Sequence, residues 1–185
     1  MKTLLSVSVL VFGGVVGAAQ EDPERPLEVV PAVNLVRYSG TWYEIARLPN
    51  RFQEQCAGDV TATYTMLDNG EIRVVNRCRK ESGEIEEAEG RARLASVDEP
   101  NTKLKVRFAP AFLSFLPFVW GDYWIIELAP DYSYAVIGEP ARKYLWILSR
   151  TPSIEESTLQ DILTRVKLKG YVLDGLVRTK QTVNP

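Results

Sequence analysis

Few side chains in this chain are suited to covalent chemistry. Histidine is absent, which removes His-based triads, His general bases and the commonest metal ligand together. Two cysteines remain, Cys56 and Cys78, and a thiolate is the strongest nucleophile available to such a chain. Glu44 and Glu127 interrupt apolar strand-like runs. They are the candidate acids, although each would serve equally well as an ion-pair partner. No set of acidic and cysteine residues has metal-ligand spacing, and neither a cofactor nor a metal is expected. The side chains that stand out instead suit non-covalent binding: apolar and aromatic residues at alternate positions, which a strand turns to one face.

The elements that must position them are short period-two runs separated by turn signals. Gly40-Thr41-Trp42-Tyr43-Glu44-Ile45-Ala46-Arg47 comes first. Strict alternation puts Trp42 and Ala46 on one face and Tyr43 and Ile45 on the other, so both faces need cover. Val60 to Met66 follows, then Asp68-Asn69-Gly70, a strong hairpin signal because Asn and Gly tolerate positive φ. Ile72, Val74, Asn76 and Cys78 alternate with Arg73, Val75, Arg77 and Arg79. Ala88, Gly90, Ala92 and Leu94 alternate with charges, as do Leu104, Val106 and Phe108. These three strands form an antiparallel sheet with one wet face, and its small inward residues leave room inside. Tyr123–Leu128, Ser133–Gly138 and Tyr144–Arg150 complete a set of about eight strands, a number that closes into a small barrel able to hold one ligand. One helix follows. Ser153 and Glu156 make a capping-box pattern after Pro152, and Leu159, Ile162, Leu163 and Val166 form one apolar stripe that could cover Tyr43 and Ile45 from outside.

The expected lining falls on alternate positions: Ala62 and Tyr64, Val74 and Asn76, Ala92 and Leu94, Val106 and Phe108, Tyr134, then Tyr144 and Trp146. A mostly apolar wall with a few polar groups suits a small-molecule pocket. Arg51 and Arg142 fall at the far end of the hairpin order and are candidates for a ligand headgroup. The segment 110–120 is apolar, carries two prolines and rims the same end. It reads as a lid, a transient membrane contact or a dimer contact.

Residues 1–19 read as a secretory signal peptide: one positive charge, an apolar run from Leu4 to Val16, and small residues before Gln20. The mature chain is expected to be exported, periplasmic or extracellular. It is not expected to carry a lipid anchor, because no cysteine follows the apolar run. Residues 20–33, rich in proline and acid, read as an extended leader; 34–177 as the folded body; 178–185 as a tail. Export favours a Cys56–Cys78 disulfide over two buried thiols. The formal net charge of -2, with both signs spread along the chain, gives no footprint for nucleic acid.

With these residues located, the chain resembles the lipocalins. Gly40-Thr41-Trp42 matches the Gly-x-Trp motif, Pro130-Asp131-Tyr132 the Thr-Asp-Tyr loop with Pro for Thr, and Leu148-Ser149-Arg150-Thr151-Pro152 the final Arg motif. Val60–Tyr64 and Tyr144–Leu148 are further similar to the bacterial lipocalin and apolipoprotein D branch. The resemblance implies an all-β, eight-stranded antiparallel up-and-down barrel, a calyx with one closed end and one helix packed outside. It implies a small apolar ligand, a fatty acid or lysophospholipid, held by a monomer or homodimer. It makes Gly40, Trp42, Asp131, Tyr132 and Arg150 structural residues of the closed end. Catalysis inside the barrel is the alternative, for which a disulfide would remove the thiol. A biotin-type barrel fits less well, because the capped helix has no place in it.

Overall fold

The computed structural model describes residues 25–182; the signal segment lies outside the described residues. A four-residue helix α1 (Leu35–Tyr38) precedes eight antiparallel strands: β1 (Gly40–Arg47), β2 (Gly58–Met66), β3 (Ile72–Arg79), β4 (Ile85–Leu94), β5 (Lys103–Arg107), β6 (Gly121–Leu128), β7 (Tyr134–Gly138) and β8 (Leu145–Ser149). Helix α2 (Glu156–Leu168) and a two-residue strand β9 (Val177–Arg178) follow. Each strand pairs with the next, and β1 pairs with both β2 and β8, so the sheet closes. This is the expected barrel with a helix outside, plus one extra strand. The hairpin turns after β2, β4 and β6 share the end where Trp42 sits, and the connections after β1, β3, β5 and β7 share the opposite, open end.

Two apolar clusters divide the interior. One fills the closed half of the barrel around Trp42, Tyr64, Val74, Ile125, Ile137 and Leu148. The other lies between the barrel wall and α2, where Leu159, Ile162 and Val166 pack on Ile45, Ala46, Ile126, Val136 and Ile147. The helix stripe therefore does its expected work, but on Ile45 and Ala46 rather than on Tyr43. A register shift between Glu44 and Ala46 breaks the alternation. It puts two consecutive apolar residues under the helix and leaves Glu44 buried with Arg47.

Two terminal segments are more tightly held than the sequence suggests. In the leader, Val30 donates its amide to the Ile125 carbonyl, and Asn101 bonds both backbone groups of Val33. Leu27 and Val33 are buried. The tail begins with β9, which pairs with the end of β1 where β2 has diverged. Beyond it, the Gln181 amide donates to the carbonyls of Glu44 and Val60 at 2.9 and 3.0 Å, bridging the parted strands. Thr182 and Arg79 both bond Asp59. Residues 177–182 are thus a seam in the barrel rather than a tail. The capping box also fails. The helix starts at Glu156, behind Glu155, with no side-chain cap, and the Glu156 carboxylate is taken by Arg178 of β9. Gly170, at φ +83, follows its C-terminal end and lets the chain turn away.

Candidate functional site

The closed end is built around one stack. The Arg150 guanidinium lies 3.8 Å from the centre of the Trp42 ring. Its nitrogens donate to the carbonyls of Thr41, Arg37 and Tyr38 at 2.7–3.0 Å. The Trp42 indole N–H donates to the Tyr38 carbonyl at 2.8 Å. A cation over an indole contributes about 0.5–2 kcal/mol with burial, and here the same cation also satisfies three carbonyls that would otherwise crowd around it. Gly40 suits its place through its backbone: its φ is +97, a conformation that a residue with a Cβ adopts only under strain, although the space beside the guanidinium would admit one. The loop between β6 and β7 braces this plug. Asp131 accepts from the Ser133 amide and hydroxyl, Tyr132 takes a φ of +65, and its hydroxyl accepts from the Asn34 amide. Arg37 stacks 4.0 Å from the Tyr132 ring.

Above the plug three tyrosines meet. Tyr123 shares hydrogen bonds with Tyr38 at 2.7 Å and Tyr64 at 2.8 Å. Burial pushes the Tyr64 phenol up to about 12, and raises Tyr38 and Tyr123 well above the usual phenol range. All three are neutral at any physiological pH, so the floor of the barrel carries hydroxyls and no charge.

Toward the open end the wall changes character. Ala62 opposes Asn76, Asn76 opposes Ala88, and Ala92 opposes Val106, all inward by register. Yet Ala62, Asn76, Val106, Tyr123 and Trp146 are only half-buried, and Ala88 is exposed. Inward side chains of a filled barrel would be buried; the open half of the barrel is thus less tightly filled than the floor. The Asn76 amide makes no hydrogen bond to another described residue. One wall of the mouth is polar. Glu44, buried, accepts from Arg47 at 2.6 Å, from Gln53 at 2.6 Å and from Thr179. Gln53 in turn accepts from the Trp146 indole at 2.8 Å and from Asn50 at 2.9 Å. A cavity of about 210 Å³ beside this network is lined by Arg47, Pro49, Asn50, Gln53, Glu54 and Val177. A second cavity, about 390 Å³, lies outside the barrel between β7, β8 and the start of α2.

The expected lining divides accordingly. Ala62, Tyr64, Val74, Asn76, Ala92, Val106 and Trp146 face the barrel interior. Tyr144 stands at the mouth, stacked on Trp146 and near Phe52. Phe108 lies just past β5 with its ring against Gly90, so the space left by that glycine is already used. Leu94 ends β4 at the closed end and is 39% exposed, outside the cup. Tyr134 faces outward: its hydroxyl accepts from Arg165 of α2, and it packs on the helix-side cluster. Arg142 is not free for a headgroup, because it donates to the carbonyls of Lys169 and Arg25 on the outside. Arg51 lies over the Phe52 ring, 5.3 Å from its centre. Sequence reasoning missed Arg47, Gln53 and Thr179. The available signal was Glu44, a charge inside an apolar strand that had to find partners.

Cys56 and Cys78 form a disulfide, with Cα atoms 5.5 Å apart. The thiol route to catalysis is thereby closed. Glu127 pairs with Arg165 and Glu44 with Arg47, as ordinary ion-pair partners do.

Comparison with known proteins agrees with this geometry. The model of the lipocalin-like domain matches residues 33–181. The chain belongs to the lipocalin family, whose members bind small hydrophobic ligands. It is 42% identical over 163 residues to temperature-induced lipocalin-1 of Arabidopsis thaliana, covering 88% of this chain and 87% of the relative. It is 38% identical over 168 residues to outer membrane lipoprotein Blc of Citrobacter freundii, covering 90% of each. Among solved structures, insecticyanin from the tobacco hornworm Manduca sexta superposes with a TM-score of 0.65 at 20% identity, covering 85% of this lipocalin and 86% of that chain. Among the described residues no helix is long and apolar enough to cross a membrane.

Proposed function

We propose that this lipocalin is exported and carries a single acyl lipid, a fatty acid or lysophospholipid, in the cup of the barrel, without chemical change to it. The observation that carries this reading is the division of the wall. The floor is closed by Trp42 and Arg150 and carries only neutral tyrosine hydroxyls bonded to one another, the middle is apolar and accessible, and the charged and amide groups gather near the entrance. An acyl chain entering tail-first meets Val74, Val106 and Trp146, and its polar end stops near Asn76 and the Gln53 network. The Asn76 amide is the side chain left to bond it. Export is supported by the signal segment and by the disulfide.

Native mass spectrometry before and after organic extraction tests this directly. A released acyl lipid, and saturable quenching of tryptophan fluorescence when oleoyl-lysophosphatidylcholine is added back, are expected. Trp146→Phe should lose most of that quenching. An extracted protein that binds neither oleate nor lysophospholipid refutes the reading.

A further inference from the structure

The sequence holds six phenylalanines. The five in the described residues, Phe52, Phe108, Phe112, Phe115 and Phe118, are all exposed, between 43% and 81%. None is in either apolar cluster, and all belong to the open end. Large aromatic side chains normally bury in a core. Three of these stand on one connection, between β5 and β6, at positions 112, 115 and 118, and each is about three-quarters exposed or more.

We propose that this connection is a membrane-docking tip that inserts Phe112, Phe115 and Phe118 into a phospholipid surface and brings the mouth of the barrel onto it. This does not rest on which ligand the barrel holds. Three features of the tip fit a lipid partner. First, five of the nine amides between Ala111 and Trp120 are bonded within the segment, those of Ala111, Phe112, Phe115 and Phe118 not. Two short 3-10 turns, Ala111–Leu113 and Pro117–Val119, bond the amides of Leu113, Ser114, Leu116, Val119 and Trp120 within the segment, and Pro110 and Pro117 have no amide to satisfy. Internal bonding of this kind lowers the cost of entering the interfacial layer of a bilayer, whereas a docked peptide strand would use a row of free backbone groups. Second, charge is arranged by depth. From Phe108 to Gly121 the sequence carries no charged residue. At the base of the tip the Trp120 ring has the exposed Arg93 guanidinium 4.2 Å and the buried Arg107 guanidinium 5.1 Å from its centre. Tryptophan and arginine at the foot of an apolar tip match the headgroup layer, where indoles and cations meet phosphates. Third, a stable protein interface needs roughly 20–30 residues a side, and three side chains on one connection fall far short of it.

Co-sedimentation with vesicles of phosphatidylcholine, alone and mixed with phosphatidylglycerol, tests the proposal. Binding to both is expected, and the combined Phe112→Ser, Phe115→Ser, Phe118→Ser variant should lose it by about a hundredfold or more. Unchanged far-UV circular dichroism and unchanged quenching by soluble lysophospholipid should show that this variant folds and keeps its cup. A Phe115→Trp variant should show blue-shifted emission on vesicles and quenching by brominated phosphatidylcholine. Four outcomes overturn the proposal. Vesicle binding unaffected by the triple substitution removes the tip from it. Binding only to the anionic vesicles, abolished by salt, assigns the contact to cations. Loss of lysophospholipid quenching in the folded triple variant makes the phenylalanines a lid. A concentration-dependent dimer that the substitutions abolish makes the partner a second copy.

Discussion

The indole N–H of Trp146 donates to the side-chain oxygen of Gln53 at 2.8 Å, joining β8 to a connection that the disulfide holds in place. Gln53 reaches the barrel because Cys56, three residues on, is tied to Cys78 of β3. The same amide donates to buried Glu44. Gln53→Ala leaves an indole donor and one carboxylate oxygen short of partners, and should cost about 1–3 kcal/mol. Reducing the disulfide frees a segment closed by a sequence separation of 22. It should cost about 3 kcal/mol by the chain-entropy estimate. Urea melts of the two forms check both values. Reduction should also shift tryptophan emission under native conditions, because it loosens the partner of Trp146.

Gln181 replaces ladder bonds that β1 and β2 no longer make to each other. Its amide satisfies the carbonyls of Glu44 and Val60 at once. Gln181→Ala should destabilise the protein by about 1–3 kcal/mol, the cost of polar groups left unsatisfied. Hydrogen exchange should accelerate at the open ends of β1 and β2 and remain unchanged at the hairpin of β2 and β3.

At the closed end, Arg150→Lys keeps the charge and loses the planar fork. A lysine cannot stack on Trp42 and serve the carbonyls of Arg37, Tyr38 and Thr41 together. A loss of about 2–3 kcal/mol in thermal or urea unfolding is expected. The binding of lysophospholipid at low temperature should change little, since the residue lies beneath the floor.

Alkaline titration should show late phenols. Burial raises Tyr38, Tyr64, Tyr123 and Tyr171, four of the eight tyrosines, with Tyr64 and Tyr171 at about 12. A folded-state pKa above the ordinary phenol value of about 10 stabilises the fold fully below pH 10, and that contribution is lost as pH climbs through the raised value. Phenolate absorbance should therefore rise in two stages, the second near pH 12 and coincident with loss of the β-sheet circular dichroism signal. A single stage complete by pH 10.5 with the fold intact would refute the buried tyrosine cluster.

How much of the barrel was legible depended on whether one strand face is wet. In β3, β4 and β5 the outer face carries charge, so the phase of alternation is unambiguous, and Val74, Asn76, Ala92 and Val106 fall inward as read. In β7 both faces are apolar, because α2 covers the outside. Tyr134, Ala135, Val136 and Ile137 then give no phase, and Tyr134, expected in the lining, faces α2 instead. In β1 the register shift after Glu44 turns Ala46 outward, a backbone event with no residue signature. The three closed-end motifs were legible because each does a job that few residues can: a positive φ at Gly40, an indole at Trp42, a forked cation at Arg150. The seam was not legible, since Thr179, Gln181 and Thr182 act as single hydrogen-bonding side chains without periodicity.

That seam also sets the order in which the molecule can be assembled. The edges of β1 and β2 at the mouth are joined through residues 177–182, which leave the ribosome about 120 residues after Asp59 and Val60 are made. A nascent chain can form the β2 to β5 meander early, from neighbours in sequence. Its first strand must wait for residues 177–182 before the open end has two complete sides. Synthesis that stops short of Gln181 leaves an unpaired strand edge beside an apolar interior, a species on which chaperones act and which aggregates without them. The open end of the cup is therefore the last part of the barrel to be completed.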